Sequence, residues 1–280
     1  MKIAVSGKGG TGKTSLVAAL AKSFVDAGDQ VLAIDADPTS NLALALGEGS
    51  PSARNRVGEP HPRPNEIVPL IQMKELIAER TGTDTKAGYG KFFKLNPRVD
   101  DIPDAYRRTA SGVNFIVLGA VHVAAGGCYC PENVFLQSLL SHLILERDEV
   151  VIIDMEAGIE HLGRGTVRGI DVLIVMVEPT LRSIEAARTI HELASELGIR
   201  RIGVVGNKIE TPQTRFIASG DPAETQREFI RKSLDTMEIL GFLSLNERIH
   251  ETDITGEAVF SNNPRLLDEV NRIREAIGHA

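Results

Sequence analysis

A glycine-rich loop near the start of the chain constrains its fold more than any other feature. A short apolar run at residues 3–5 precedes the segment Gly7-Lys8-Gly9-Gly10-Thr11-Gly12-Lys13-Thr14, which fits the phosphate-binding pattern G-x-x-x-x-G-K-[ST]. The glycines let successive backbone N–H groups point at one anion, and the N-terminus of a following helix adds its positive dipole end. Apolar residues recur at helical spacing from 16 to 24. The flanking strand and helix favour a phosphate loop over a plain glycine-rich turn.

Further apolar runs are spread along the whole chain and predict a sheet. The run at 172–177 shows no alternation, which is typical of a parallel strand covered on both faces. We predict strands over 31–34, 113–118, 150–154, 172–177, 202–208 and 239–243, and helices over 67–80, 135–144, 183–197 and 266–277. The predicted fold class is α/β: one P-loop NTPase domain over residues 1–280, with a mostly parallel central sheet and helices on both faces. Residues 47–111 are expected to be loop-rich, with Phe92, Phe93 and Tyr106 as anchors onto the core.

Acidic residues follow two of the predicted strands. Asp35 and Asp37 come after the strand over 31–34, and Asp154 ends the strand over 150–154. Carboxylates at the C-terminal ends of parallel strands lie beside the ligand crevice. In P-loop proteins the lysine reaches the β- and γ-phosphates, while the loop hydroxyl and a strand-end aspartate hold Mg²⁺. We therefore expect these roles for Lys13, Thr14 and Asp154. An alternative for Asp35 and Asp37 is a pair of acidic turn residues ahead of a helix.

The chain has two cysteines, Cys128 and Cys130, which lie two positions apart. A disulfide at this spacing closes a strained ring and is rare in a reducing cytoplasm. A tetrahedral thiolate site needs four ligands, which two chains related by a two-fold axis would supply. The motif thus predicts a four-cysteine metal site between two subunits, or a two-thiolate site that hands its metal on, with His122 as a possible supplement. A tight turn before a helix is the alternative. The predicted helix over 135–144 would favour the thiolate form at its N-terminus.

The composition narrows the functional classes. The net charge is −7 and no run of Lys and Arg exceeds two residues, whereas nucleic-acid binding needs a basic footprint. No apolar stretch approaches 18 residues, and the first apolar run is too short for a signal peptide. The terminal helix carries three Arg against three acids on its polar face, so we expect it to pack on the core rather than on a membrane. We therefore expect a cytoplasmic protein without nucleic-acid or membrane partners.

Lys8 is a second lysine inside the phosphate loop. The form Lys-Gly-Gly-x-Gly-Lys-Thr resembles the deviant P-loop of the MinD/ParA and nitrogenase iron-protein class of ATPases. This resemblance implies that Lys8 reaches across a dimer interface to the partner's nucleotide; a solvated loop lysine is the alternative. It also implies that Asp35 lies near Mg²⁺ and that Asp37 positions the attacking water. Residues 155–165 would form a switch segment, in which Glu156, Glu160 and His161 are either coupling residues or solvated loop residues.

The pair Asn207-Lys208 ends the predicted strand over 202–208. In P-loop ATPases and GTPases an Asn-Lys at this point contacts the base, which implies that Asn207 bonds adenine and that the Lys208 stem packs on it. GTPases have an aspartate two positions after the lysine, where this chain has Glu210, so adenine is favoured over guanine. The family resemblance also places residues 251–258 over the base.

Together, these motifs resemble the CooC-type ATPases, which mature the nickel site of carbon monoxide dehydrogenase. The resemblance rests on residues 8–14, Asp35 and Asp37, the Cys-x-Cys motif, the segment 154–158 and Asn207-Lys208. It implies a slow, switch-like ATPase that forms a homodimer with ATP, binds Ni²⁺ or Zn²⁺ through the two cysteines, and serves carbon monoxide dehydrogenase or acetyl-CoA synthase. The implied cofactors are ATP or ADP, Mg²⁺ and the cysteine-bound metal. The implied catalytic residues are Lys8, Lys13 and Asp37, and the implied nucleotide-binding residues are Gly7, Gly9, Gly10, Thr11, Gly12, Lys13, Thr14, Asn207 and Lys208.

Two other classes remain as alternatives. One is a ParA/MinD-like spatial regulator, which the acidic charge balance disfavours. The other is an electron donor like the nitrogenase iron protein, which needs a cysteine after the second switch strand. No cysteine follows Asp154 in this chain.

Overall fold

A single eight-stranded sheet organises the chain. The computed structural model describes residues 1–37, 41–48, 67–83, 93–119, 130–156, 167, 169–210, 222–246 and 248–278. Within these ranges the strands are β1 Lys2–Gly7, β2 Val31–Asp35, β3 Arg108–Ala110, β4 Val113–Val117, β5 Val150–Asp154, β6 Val172–Val177, β7 Ile202–Ile209 and β8 Glu238–Ser244.

The strand order is β3-β4-β2-β5-β1-β6-β7-β8, and each neighbouring pair is parallel except β3 with β4. Strand β1 lies between β5 and β6, so the loop that follows it opens in the middle of the carboxyl edge. In the register, Val5 pairs with Asp154 and Asp35 also pairs with Asp154. The topology therefore brings the phosphate loop and both strand-end acids to one place.

Helices cover both faces of the sheet. They are α1 Lys13–Asp26, α2 Leu42–Ala45, α3 Lys74–Thr81, α4 Ile102–Tyr106, α5 Pro131–Leu145, α6 Leu181–Leu197, α7 Pro222–Ser233, α8 Arg248–Thr255 and α9 Pro264–Gly278, with a 3₁₀ turn at Leu70–Gln72. One apolar layer joins α1, α2 and α9 to the sheet, and the other joins α3, α5 and α6 to its opposite face. The predicted α/β class is thus confirmed. No helix in the described ranges is long and apolar enough to cross a bilayer.

Every strand predicted from an apolar run is present. The helices predicted over 135–144 and 183–197 correspond to α5 and α6, and Thr180 caps α6 by accepting a hydrogen bond from the backbone of Ser183. The terminal helix α9 buries Leu266, Val270 and Ile277, which confirms that it packs on the core. Strand β3 was not predicted, because it is three residues long, lies at the sheet edge and is only partly buried.

The region over 47–111 departs from its prediction in three respects. The described parts hold a 3₁₀ turn, two helices and an edge strand, so they are more regular than the loop-rich composition indicates. The helix expected over 67–80 is wrong in its first half: Ile71 donates its backbone N–H to the carbonyl of Leu118 at 3.1 Å, and α3 begins only at Lys74. Tyr106 is exposed and is not an anchor, whereas Ile102 of α4 is fully buried. Phe93 is half-buried, and Phe92 lies outside the described residues.

Candidate nucleotide-binding site

A cavity of about 850 Å³ opens at the carboxyl edge of the sheet. Its polar wall comes from the phosphate loop, from Asp37 and from the ends of β7 and β8. Its apolar wall is formed by Leu44 of α2, Ile249 of α8 and Val259. The last two lie on either side of residues 251–258, the segment expected to close over a base. The cavity therefore offers a polar end for phosphates and an apolar end for a base.

The phosphate loop is closed around the carbonyl oxygen of Lys8. This oxygen accepts hydrogen bonds from the Thr11 hydroxyl at 2.8 Å and from the Thr11 backbone N–H at 3.3 Å. The ammonium of Lys13, which is 7 % exposed, lies 3.5 Å from the same oxygen. Lys8 itself is exposed. The two loop lysines thus have different environments: Lys13 is held inside the loop and Lys8 faces outward.

Gly12 is the N-cap residue of α1 and lies in the left-handed region, with φ of 91°. A side chain at this position would overlap the amide nitrogen of Asn207. That amide donates to the carbonyl of Thr11 at 2.7 Å. Glycine is therefore required here both by the backbone conformation and by the close approach of β7.

Asp154 is fully buried at the end of β5, and one of its carboxylate oxygens accepts a hydrogen bond. The Thr14 hydroxyl donates to its Oδ2 at 2.6 Å. Its Oδ1 is buried, and among the described residues it has no hydrogen-bond partner. Burial raises the pKa of Asp154 to about 7, with the nearby Asp35 charge acting in the same direction and the Thr14 hydrogen bond opposing it. An unpartnered buried carboxylate oxygen is costly unless a cation reaches it.

Asp35 is also fully buried, but both of its carboxylate oxygens have partners. Oδ1 accepts the N–H of Asp37 at 3.2 Å, and Oδ2 accepts the N–H of Leu42 at the start of α2 at 3.0 Å. Burial raises its pKa to about 6, while the two backbone N–H groups oppose the rise. Asp35 thus ties the backbone of Asp37 and the start of α2 to the end of β2.

These oxygens match the ligand preferences of Mg²⁺, which binds one or two carboxylates or hydroxyls together with phosphate oxygens and water. The free Oδ1 of Asp154 and the adjacent Thr14 hydroxyl are donors of this kind. The residues present therefore fit the ion that accompanies a nucleoside triphosphate. Glu156 is exposed and lines the same cavity.

Asn207 and Lys208 lie at the cavity, but both bind the phosphate loop. Asn207 holds Thr11, and the ammonium of Lys208 donates to the carbonyl of Gly10 at 2.8 Å. The proposed base contacts of this pair stay predictions. The structure adds Glu178, whose Oε1 lies 2.6 Å from the Lys208 ammonium. The sequence could have indicated Glu178, since it directly follows the strand over 172–177, as Asp154 ends its own strand.

Only part of the cysteine motif is described. Cys130 is half-buried and is the N-cap residue of α5, as expected for a residue before that helix. Cys128, His122, Glu160 and His161 lie outside the described residues. Within the described ranges, no three His, Cys, Asp or Glu side chains are grouped so as to hold a metal ion.

Comparisons with known proteins also indicate a nucleotide-binding domain. Residues 2–259 match the family described as the CobQ/CobB/MinD/ParA nucleotide binding domain. The chain is 38 % identical to the carbon monoxide dehydrogenase accessory protein CooC of Rhodospirillum rubrum, covering 99 % of this chain and 96 % of that protein. It is also 38 % identical to an ATP-binding protein of Methanocaldococcus jannaschii, over 98 % of this chain and 96 % of the relative.

Among solved structures, the septum site-determining protein MinD of Pyrococcus horikoshii OT3, complexed with Mg-ADP, has the same fold. The TM-score is 0.60 at 20 % identity, covering 99 % of this chain and 96 % of that one. Members of this class are ATPases that use ATP or ADP with Mg²⁺. The chain accordingly belongs to the CobQ/CobB/MinD/ParA nucleotide-binding family, as an ATPase of the CooC type in the MinD/ParA class.

Proposed function

We propose that this ATPase is a cytoplasmic metallochaperone that forms a homodimer with ATP and carries Ni²⁺ or Zn²⁺ on Cys128 and Cys130. Its client would be a nickel enzyme, carbon monoxide dehydrogenase or acetyl-CoA synthase. The observation that carries the proposal is the Cys-x-Cys motif, whose Cys130 is the N-cap residue of α5, in a chain 38 % identical along nearly its whole length to a carbon monoxide dehydrogenase accessory protein. We further propose that residues 1–280 act as one domain, without nucleic-acid or membrane partners.

The geometry supports a division of roles at the nucleotide. The loop from Gly7 to Thr14 would hold the phosphates, with Lys13 at the β- and γ-phosphates. Thr14 and Asp154 would bind Mg²⁺, with Asp35 beside them, and Asp37 would position the attacking water. The support for Asp37 is that its backbone is tied to Asp35 by a 3.2 Å hydrogen bond at the cavity wall.

Two features of the chain favour a dimer. The Lys8 side chain is exposed, although its carbonyl accepts the loop's own hydrogen bonds, and this exposure supports the proposal that Lys8 reaches a nucleotide held by a second copy. Two thiolates from one chain supply half of a tetrahedral site, and a second copy would supply the rest. Both features require the same partner, which is why we propose one dimer rather than two assemblies.

The experiment is size-exclusion chromatography with metal analysis, run without ligand, with Ni²⁺ and with ATP. Wild type is expected to bind one metal per dimer, and the double variant Cys128→Ser with Cys130→Ser is expected to lose it. Lys8→Ala is the matched control: it keeps both cysteines, so we expect it to retain metal but to lose dimerisation with ATP alone. Unchanged metal content in the double serine variant would contradict the proposal. A salt-dependent shift of plasmid DNA would instead support a ParA/MinD-like role.

A further inference from the structure

We propose that Glu178 is a positioning residue of the ATP site, which acts by holding Lys208 against the Gly10 carbonyl of the phosphate loop. The inference concerns nucleotide binding and does not depend on the metal or on the client enzyme. It rests on a chain of contacts from the end of β6, through the end of β7, to the middle of the loop.

Glu178 is held firmly by its own neighbours. Its backbone N–H donates to the hydroxyl of Ser183 at 3.0 Å, and its carbonyl accepts the N–H of Thr180 at 2.7 Å. Ser183 is buried in the first turn of α6. The side chain, 25 % exposed, places Oε1 at 2.6 Å from the Lys208 ammonium. Glu178 is therefore a partly buried acceptor at the carboxyl edge of the sheet, carried by a backbone that two hydrogen bonds hold.

Lys208 is held in an unfavourable backbone conformation. Its φ is 58°, a left-handed value that is sterically unfavourable for a residue other than glycine. The N–H of Lys208 donates to Oδ1 of Asn207 at 2.7 Å, and its ammonium reaches Gly10 and Glu178. These contacts offset the strain and direct the lysine toward the loop.

The contact with Gly10 bears on how the loop presents its N–H groups. In a planar trans peptide the carbonyl and the N–H of the next residue point in opposite directions. Lys208 draws the Gly10 carbonyl toward β7, and Asn207 does the same to the Thr11 carbonyl. The N–H groups of Thr11 and Gly12 must then face away from β7, and the N–H of Thr11 donates to the Lys8 carbonyl at 3.3 Å, which closes the loop. The anchored carbonyls thereby set the shape of the phosphate-binding loop. The Gly10 carbonyl sets the direction of the Thr11 amide that closes the loop on Lys8, and Glu178 holds the lysine that anchors this carbonyl.

The test measures nucleotide affinity in Glu178→Gln, which keeps the side-chain shape and removes the charge. Loss of a partly exposed ion pair of this kind changes an equilibrium constant by a factor of roughly two to five. We therefore expect the Kd values for fluorescent ATP and ADP to rise by about that factor. The preference for ATP over GTP should be unchanged. Glu185→Gln is the matched control, because Glu185 lies on α6 and pairs with the exposed Arg188 at 2.9 Å. In a Lys208→Met background, Glu178→Gln should have no further effect.

Several outcomes would overturn the inference. Affinities in Glu178→Gln equal to those of Glu185→Gln would show that the pair does not position the loop. A changed ATP-to-GTP preference would show that Lys208 acts on the base. An additive loss in the Glu178→Gln, Lys208→Met double variant would show that Glu178 acts on the nucleotide by another route. Melting temperatures recorded on the same samples separate each of these results from general unfolding, since a merely structural role lowers stability without the selective, non-additive pattern.

Discussion

Replacing Asp154 by asparagine should stabilise the nucleotide-free protein and remove its response to Mg-ATP. The carboxylate is fully buried at the end of β5, and in the register it lies opposite the equally buried Asp35 of β2. Burial and this neighbouring charge raise the pKa of Asp154 to about 7. Asparagine has nearly the same shape and no charge, so the substitution tests the cost of the charge alone.

The magnitude follows from the pKa. The interval from the ordinary value of 3.8 to about 7 spans about three pKa units, and each unit corresponds to about 1.36 kcal/mol. At about pH 8 the ionised group therefore lowers the free energy of unfolding by up to roughly 4 kcal/mol. Asparagine removes this cost, but part of the gain is lost again, because a hydrogen bond from the Thr14 hydroxyl to a neutral acceptor is weaker by about 1 kcal/mol. We expect a net gain of about 1–3 kcal/mol, or roughly 2–6 °C in melting temperature.

The sign of the pH dependence is fixed by the direction of the shift. Because the folded-state pKa is raised, the folded protein binds a proton more tightly than the unfolded chain between about pH 4 and about pH 7. As the pH falls through this window, Asp154 becomes protonated in the folded protein, and the free energy of unfolding of the wild type therefore increases. Below about pH 4 the group is protonated in both states, and the advantage of asparagine disappears.

The assay is thermal unfolding in EDTA at about pH 8 and about pH 5, followed by the same scans with Mg-ATP. Asp235→Asn removes the charge of an exposed aspartate and serves as the control. We expect Asp154→Asn to melt above wild type at the higher pH, with a smaller difference at the lower pH, and Mg-ATP to stabilise only the wild type and the control. A lower melting temperature for Asp154→Asn at about pH 8, with the control unchanged, would refute the reasoning.

Two further substitutions test other parts of the site. Asp37→Asn should trap an ATP-bound dimer, visible by size exclusion, because the attacking water loses its positioning group; a variant that stays monomeric with ATP would contradict this role. Gly12→Ala should abolish ATP binding and cost more stability than Gly198→Ala, although both glycines have φ of 91°. The backbone strain of about 1–2 kcal/mol is common to both substitutions. At Gly12 the added methyl also overlaps Asn207, whereas no described atom lies within 4 Å of the methyl at Gly198. Equal losses in chemical denaturation would argue against the contact.

Local features of the sequence account for most of the fold and for the polar end of the site. Parallel strands covered on both faces need continuous apolar runs, and such runs marked every strand of the sheet except β3. The phosphate loop and the acid at the end of β5 are recognisable because their chemistry requires fixed residue types beside a strand. The link between Thr14 and Asp154 follows once β1 and β5 are neighbours in the sheet.

The remaining features depend on contacts that no local pattern encodes. The partners of Asn207 and Lys208 in the loop are 196 and 198 positions away in the sequence, so the shared role of this pair emerges only from the folded structure. The break before α3 has a similar origin. The N–H of Ile71 bonds the chain beyond β4 rather than its own helix, and this tertiary contact overrides a helical periodicity.

Several costly features of the described structure lie at the end of the sheet where the nucleotide binds. Two buried carboxylates lie side by side, one of them with an unpartnered oxygen, and Lys208 has a left-handed backbone. None of these belongs to the apolar layers that the described residues form on the two faces of the sheet. A divalent cation would make the electrostatic contribution of these two carboxylates to stability favourable, because the repulsion between Asp35 and Asp154 is replaced by the attraction of both to the cation. Ligand binding then adds a stabilisation that grows with the logarithm of its concentration relative to Kd. The free protein is thus expected to be the less stable state, and the nucleotide site to be the place where that difference in stability arises.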